Sequence, residues 1–276
     1  MTSDGDRRLL LALAVGIPLA LVALVALFVG VNYVGMAAAM DDPFSHYGYA
    51  ASVSTNATLS NVTLHLPVPV DAAGEPLDAN WTVRDGNGTR LDWDVGVVET
   101  GSGPMLAVRA DEVSGSQRFL LRTFAGNGSL VSVREVGPEE VPPDATDREV
   151  VPLATRYGVH AFEQVDGPVE TRRPVERGVA LAPRTSREDV RCDPWVADEE
   201  TACERFETVV YARYDAPPDA EVTVTVEFEG WNEWGFMMAN SFNEYHERVT
   251  VTLVGDDPGW TTAEGETTAG VGRYSP

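Results

Sequence analysis

The feature that most constrains this chain is an uninterrupted apolar run near its N-terminus. From Leu9 to Val31, over 23 residues, no side chain is charged or polar. An α-helix of that length spans roughly 35 Å at about 1.5 Å per residue, enough to cross a hydrocarbon core of about 30 Å. We therefore predict a transmembrane signal anchor over residues 9–33, with the lipid bilayer as its partner.

The charges on either side of this run predict its orientation. Arg7 and Arg8 precede it directly, whereas the first charged residues after it are Asp41 and Asp42. By the positive-inside rule, residues 1–8 lie in the cytoplasm and the bulk of the chain lies outside the cell. The expected location is therefore the cell membrane, crossed once.

Two export signals are alternatives to a retained anchor. Ala37-Ala38-Ala39 resembles the cleavage site of a signal peptide, and Arg7-Arg8 before an apolar run satisfies a loose twin-arginine pattern. However, the apolar core of a signal peptide is about 7 to 15 residues long, far shorter than this run. A retained anchor is the favoured interpretation.

An excess of acidic residues is the second unusual feature. The chain has 43 Asp and Glu residues against 20 basic ones, all of them Arg, and a formal charge of -23. Such a charge strains a compact fold by self-repulsion, which about 1 M salt screens because the Debye length falls to about 3 Å. The composition resembles that of proteins from salt-loving archaea, which implies adaptation to high salt.

The excess of acidic residues also indicates which classes of molecule this chain is able to bind. A nucleic acid is disfavoured as a partner, because its phosphates would be repelled. An acidic surface that attracts cations or basic partners is the functional alternative to salt adaptation. The charge alone does not identify such a partner.

Alternation of apolar and polar residues predicts a mainly β domain after the helix. In Glu221–Glu229, the side chains of Val222, Val224, Val226 and Phe228 fall on one face, as in a half-buried strand. Similar runs lie between turn residues at Asn61–Val70, Trp81–Arg84, Leu91–Val98, Met105–Arg109, Arg118–Phe124, Ser129–Val136, Thr208–Tyr214 and Glu247–Val254. This pattern predicts an antiparallel β-sandwich-like exported domain.

Composition sets the outer limits of that domain. Residues 34–50 are predicted to form a stalk between the anchor and the strands, and the exported β domain covers residues 51–254. The last stretch, residues 255–276, is polar and rich in Thr and Gly. That composition predicts a disordered tail.

The middle of the domain is predicted to be irregular. Residues 137–204 are rich in Pro and charge, with short strands expected only near Tyr157–Gln164 and Gly178–Leu181. Such an excursion would separate two subdomains, residues 51–136 and 205–254. A long structureless segment is uncommon in a compact domain, which counts against this division.

The only two cysteines, Cys192 and Cys203, predict a disulfide bond. An even number of cysteines in an exported chain favours pairing. By the loop-entropy model, a bridge over so short a loop contributes about 2 to 3 kcal/mol. A metal site is the alternative, but two cysteines without nearby His fall short of the usual four ligands.

Five Asn-x-Ser/Thr sequons suggest surface glycosylation. They begin at Asn56, Asn61, Asn80, Asn87 and Asn127, and none contains Pro. Chance matches in a turn-rich β protein are the alternative, because Asn, Ser and Thr are ordinary turn residues. A glycan would indicate exposure to solvent but no activity.

No catalytic, metal or cofactor motif is apparent in the sequence. The four histidines are scattered, at His46, His65, His160 and His246. Asp92 and Asp94 share one face of a predicted strand, but paired carboxylates are expected by chance in so acidic a chain. We therefore predict no cofactor and no catalytic residue.

An aromatic segment from Phe228 to Tyr245 is the one local anomaly. We predict an interaction patch at Trp231, Trp234, Phe236, Met238, Phe242 and Tyr245. Most of these residues step by three or four, the spacing of one face of a short helix. The patch is interpreted as a sugar-stacking platform, a docking site or a contact with the membrane surface. The alternative is that the aromatics close the end of the core.

These observations give three functional hypotheses. The first is a non-enzymatic module that binds or scaffolds another envelope component, a protein or a glycan. The second is an exported hydrolase that assembles His160 or His246 with Asp92 or Glu244. The third is an accessory or sensor subunit whose transmembrane helix pairs with another protein.

Overall fold

The computed structural model describes residues 4–41, 44–86, 88–115, 118–146, 148–153, 155–165, 169–171, 179–193, 201–236 and 239–273. Within them, helix α1 (Asp4–Asp41) precedes sixteen strands. The strands are β1 (Phe44–Thr55), β2 (Leu59–Leu66), β3 (Val68–Val70), β4 (Thr82–Asp85), β5 (Asp94–Thr100), β6 (Gly103–Val113), β7 (Arg118–Phe124), β8 (Leu130–Val136), β9 (Val150–Leu153), β10 (Thr155–Val165), β11 (Ala180–Ala182), β12 (Ser186–Val190), β13 (Ala202–Asp215), β14 (Glu221–Phe236), β15 (Ala239–Val254) and β16 (Gly259–Arg273).

Helix α1 confirms the predicted apolar span. It continues through Pro18, and its window Ile17–Gly35 has a mean hydropathy of 2.3. Leu24 and Leu27 are each 68% exposed, as side chains that face no protein partner. By length and composition α1 is able to cross a membrane, as membrane anchors and signal sequences both are.

Most of the described strands belong to one antiparallel sheet that curls on itself. Eleven of them form it, in the order β4-β10-β1-β14-β15-β16-β13-β2-β6-β5, with β12 also paired to β13. The sheet curls because its edges are tied together: Arg90, just before β5, bridges to Arg84, and the Trp93 ring lies 5.3 Å from the Tyr157 ring. The predicted mainly β, antiparallel, sandwich-like domain is confirmed.

One face of this sheet packs into the hydrophobic core. In β14, Val222, Val224, Val226 and Phe228 are at most 1% exposed, as their alternation predicts. The Phe228 ring packs against that of Tyr245 in β15, with centroids 5.7 Å apart. Burying each such side chain stabilises the fold by about 1.5 to 3 kcal/mol. The intervening Thr and Glu side chains of β14 point to the outer face.

The predicted disordered tail is wrong, because β16 lies in the middle of the sheet, between β13 and β15. Its inward residues are small, with Ala263 and Ala269 each 3% exposed. Gly265 faces the ring of Phe206 so closely that a Cβ on Gly265 would lie 2.3 Å from its Cζ atom. A strand that buries such small side chains carries little hydrophobic signal in the sequence.

The predicted stalk and subdomains are also wrong. The stalk was expected to reach residue 50, but β1 already begins at Phe44. The two subdomains do not separate, because β1 is hydrogen bonded to β14 and β2 is hydrogen bonded to β13. Strands from both ends of the domain therefore share one sheet.

The middle of the chain is less irregular than its composition predicts. The strand expected near Tyr157–Gln164 is β10, which pairs with β1 from Ser45 to Thr55. The strand expected near Gly178–Leu181 corresponds to β11, paired with β3. The middle segment thus contributes a strand next to β1. Pairing with β1 stabilises an extended conformation there, although the surrounding segment is rich in Pro and charge.

Candidate functional site

A depression on the outer face of β10, β1, β14 and β15 brings together polar residues that are far apart in the sequence. Its volume is about 490 Å³. Its lining includes Gly48, His160, Phe162, Glu227, Glu229 and His246. A concave site with few, convergent polar groups is the usual form of a ligand site.

The register of the four strands explains this grouping. Phe162 is opposite Gly48, Gly48 is opposite Glu229, and Glu229 is opposite His246. Residues opposite one another in an antiparallel sheet present their side chains on the same face. The Phe162 ring, the space beside Gly48, the Glu229 carboxylate and the His246 imidazole therefore lie in one line across the sheet.

Small residues of β1 form the floor of the depression. Gly48 leaves room for the side chain of Glu229, since a Cβ on Gly48 would lie 2.9 Å from the Oε1 atom of Glu229. Ala50 occupies the next position on the same face, between His160 and Glu227. A larger side chain at either position would fill the space between β10 and β14.

Carboxylates dominate the electrostatics of the site. Glu227 and Glu229 are two residues apart on β14 and thus on the same face. Burial raises the pKa of the neighbouring Glu244, the charge of Glu229 raises it further, and His246 partly offsets this effect. The depression therefore favours ligands that donate hydrogen bonds or carry positive charge.

The two histidine side chains in the depression are those of His160 and His246. In the part of the chain that the structure describes, neither His160 nor His246 is hydrogen bonded to an Asp or Glu side chain. Glu227 lies 3.7 Å from Arg248, in an exposed ion pair. These polar groups remain able to bind a ligand.

Aromatic rings continue the surface from the depression toward the hairpin that joins β14 to β15. His46 lies between Phe162, at 4.8 Å between ring centroids, and Trp231, at 6.0 Å. Trp231 in turn stacks on Phe242 at 5.2 Å. Burial lowers the pKa of His46, against the opposing charges of Glu229 and Glu233, so the neutral ring is favoured.

The predicted aromatic patch is only partly brought together. The helix expected there is wrong, because β14 and β15 form a hairpin and the steps of three and four cross its turn. Tyr245 belongs to the core, where its hydroxyl donates to the carbonyl of Val179 at 2.9 Å. Trp231 and Phe242 share the outer face. Trp234 and the backbone of Phe236 lie toward the end of β14, and Met238 falls outside the described residues.

The two cysteines lie at disulfide distance, as predicted. The Sγ atoms of Cys192 and Cys203 are 2.14 Å apart and their Cα atoms 5.2 Å apart. Cys203 is the second residue of β13, so the bond ties the end of the β12 segment to that strand. Its role in this position is structural.

Four of the five predicted sequon asparagines are exposed in the structure: Asn56, Asn61, Asn80 and Asn127. Asn87 lies outside the described residues. Asn80 lines the depression, whereas the Nδ2 atom of Asn61 donates to Asp215 at 2.5 Å. Attachment of a glycan requires this exposure.

The remaining residues that the sequence suggested lie elsewhere. His65 packs between Tyr211 and Trp260, with ring centroids 5.1 and 6.2 Å away. Asp92 does not line the depression, and Asp94 pairs with Arg109 at 2.8 Å. The proposed combination of His160 or His246 with Asp92 is therefore not formed.

A buried ion pair is a feature that sequence reasoning missed. Glu247 of β15 is fully buried and accepts hydrogen bonds from the Leu181 N–H at 2.7 Å and from Arg184 at 2.5 Å. The Arg184 guanidinium also lies 4.0 Å from the ring centroid of Phe206. Burial raises the pKa of Glu247 and Arg184 opposes the shift. The pair holds the β11 segment against β15.

The lining of the depression was also missed in part. Glu227, Glu229 and Phe162 alternate with buried residues, so the sequence predicts that they face outward. It does not predict that β10 and β14 flank β1, and that neighbourhood creates the site. Among the described residues, no group of three or more His, Cys, Asp or Glu side chains is arranged to hold a metal ion.

Comparison of the chain with protein-family models, with curated proteins and with solved structures finds no match.

Proposed function

We propose that this chain is a membrane-anchored, non-enzymatic binding module of the cell envelope, whose β domain works outside the cell at high salt. The depression carries this proposal, because it unites His160, Phe162, Glu229 and His246 in one concave surface. Helix α1 is the anchor, and residues 1–8 stay in the cytoplasm.

Three observations favour the external location. The apolar helix is long enough to span a bilayer. The pair Cys192–Cys203 is at disulfide distance, and disulfides persist in oxidising compartments. The formal charge of -23 suits a surface bathed in concentrated salt. Glycosylation at exposed sequons outside the depression, such as Asn127, belongs to the same proposal.

A glycan of the envelope is the ligand that the lining fits best. Phe162 is 61% exposed, and an exposed ring is able to stack on the apolar face of a sugar. Carboxylates accept hydrogen bonds from hydroxyl groups, and a neutral imidazole both donates and accepts them. Stacking and hydrogen bonding survive concentrated salt, which weakens recognition by surface ion pairs.

Substituting the ring at the rim tests this function. For Phe162→Ala we expect about a two- to tenfold loss of affinity for the sugar, since an aromatic contact is worth about 0.5 to 1.5 kcal/mol. Glu229→Gln should weaken binding as well, because the amide accepts fewer hydrogen bonds. The measurement is retention of the detergent-solubilised full chain on immobilised neutral and acidic oligosaccharides at molar salt.

The matched control is Trp260→Ala. Trp260 is also an exposed ring, at 50%, but it lies on β16 outside the depression. We expect this variant to bind as tightly as the unaltered chain. Failure of the unaltered chain to bind any sugar of the panel, or full binding by Phe162→Ala, would contradict a glycan site.

Hydrolysis is a second candidate function, favoured by one observation. His160 and His246 line the same depression as Glu227 and Glu229, which supplies potential acids and bases side by side. If the site is catalytic, the full chain should release chromophore from a panel of nitrophenyl esters and glycosides. His246→Asn and Glu229→Gln should then each lose at least tenfold in rate, while Trp260→Ala keeps it. Absence of turnover on the panel would remove this candidate.

A further inference from the structure

The hairpin of β14 and β15 projects beyond the rest of the sheet. Its pairing continues to Phe236 opposite Ala239. The last described partner of β14 on β1 is Phe44, opposite Glu233, and β16 last pairs with β15 at Phe242. The final three described residue pairs of the hairpin therefore extend past the described ends of both neighbouring strands.

This projection lies on the same side of the domain as the apolar helix. Helix α1 ends at Asp41, three residues before Phe44, and it contacts β14. The three projecting residue pairs extend about 10 Å beyond Glu233 at about 3.3 Å each. Because α1 contacts β14, the hairpin end lies beside the C-terminal end of α1, which follows the exposed Tyr33.

The end of the hairpin has no charge. Residues 234–243, with the sequence WGFMMANSFN, contain no acidic or basic side chain, although 23% of the whole chain is charged. Aromatic side chains with a polar atom are favoured at the level of lipid headgroups. The uncharged stretch therefore coincides with the part of the domain nearest the membrane.

The base of the hairpin is held in place by a buried amide. Asn232 accepts hydrogen bonds from Ser45 at 2.9 Å and from the Val169 N–H at 2.7 Å. Its amide group donates to the Val169 carbonyl at 2.9 Å and to Asn243 at 2.7 Å. These bonds connect β1, β14, β15 and a neighbouring segment, so the hairpin leaves the sheet in a defined direction.

We propose that the described end of the β14–β15 hairpin, Trp234–Phe236 with Ala239–Ser241, lies in the headgroup region of the bilayer beside α1 and forms a second membrane contact. This inference rests on the proposed role of α1 as a retained anchor. A single helix leaves a domain free to rotate and tilt on the surface, whereas a helix and a hairpin together restrict both motions.

The second contact also determines where the depression stands. Glu229 lies seven residues before Phe236 on β14, a separation of about 23 Å along the strand from the hairpin end. The depression is therefore held close to the membrane. Its ligand would then be an envelope component near the lipid surface rather than one at the outer boundary of the envelope.

The test uses the full chain reconstituted in phosphatidylcholine vesicles with and without lipids brominated near the headgroup. Bromine quenches nearby tryptophan fluorescence, and the chain has six Trp residues. We expect quenching of the unaltered chain, reduced at least twofold in Trp234→Phe. Phe236→Asp should reduce it similarly while retaining every tryptophan, because a carboxylate resists entry into the headgroup region.

Trp260→Phe is the matched control. Trp260 lies at the start of β16, whereas the other end of that strand approaches the hairpin, so its removal should leave the quenching unchanged. Circular dichroism confirms that each variant is folded. Vesicle-bound chain without quenching, or full quenching in both Trp234→Phe and Phe236→Asp, would overturn the hairpin contact. Release of the unaltered chain from vesicles by alkaline carbonate would instead overturn the anchor itself.

Discussion

Removing residues 256–276 should abolish cooperative folding of the β domain. The deletion takes away β16, which pairs with β13 from Ala202 to Ala212 and with β15 from Phe242 to Thr250. Two central strands would lose their backbone partners, and unpaired buried amide groups are costly. We expect no unfolding transition in circular dichroism and rapid proteolysis of the truncated chain.

Three further variants test whether residues 259–273 form a central strand or a disordered tail. Deleting only residues 274–276, which follow β16, should leave the transition intact. Gly265→Ala should lose about 1 to 3 kcal/mol of stability, because the new methyl group meets the ring of Phe206. Gly96→Ala in β5, where no atom lies within 4 Å of the new Cβ, should be neutral or slightly stabilising. A stable protein truncated at residue 255 would contradict the central place of β16.

Glu247→Ala should be the most damaging single substitution at a polar position. It leaves the guanidinium of Arg184, whose side chain is only 13% exposed, without its carboxylate and the Leu181 N–H without its acceptor. Breaking a buried ion pair on one side costs about 3 to 5 kcal/mol. Urea denaturation of the detergent-solubilised chain at fixed high salt measures the loss.

The matched control is Asp94→Ala, which removes the exposed pair with Arg109. Both side chains of that pair are more than half exposed, and such pairs contribute about 0 to 1 kcal/mol. The double substitution Arg184→Met with Glu247→Leu should recover part of the stability, since no charge is left buried. Equal losses for Glu247→Ala and Asp94→Ala would show that the buried pair has no special role.

Local patterns predicted the parts of the fold that depend on local forces. The apolar run from Leu9 to Val31 predicted α1, and the alternation in Glu221–Glu229 predicted a strand with one buried face. The turn residues between such runs predicted antiparallel neighbours. In each case the signal lies within one short segment, as an unbroken apolar run or as a regular alternation, and needs no distant residue to be recognised.

The errors share a different cause. β16 hides its role because Phe206 of another strand fills the space that Gly265 leaves. The aromatic residues from Trp231 to Tyr245 are spaced in the sequence like one face of a helix. They belong, however, to the two strands of a hairpin, so this spacing does not place them on one face. In both cases the environment of a residue depends on a partner in another strand.

The candidate site shows the same division. The outward direction of Glu227 and Glu229 follows from strand periodicity. His160 lies near these two residues only because β1 is positioned between β10 and β14. No spacing within the chain indicates that three such strands are neighbours.

The sequence by itself determined the apolar helix, the β class of the domain, its acidity and the pairing of Cys192 with Cys203. The tertiary structure alone decided the strand order, the burial of Glu247 and the assembly of the depression. The physical reason is that periodicity, charge and short loops act over a few residues. Strand pairing instead selects partners by side-chain fit across the whole chain, and that fit has no local signature.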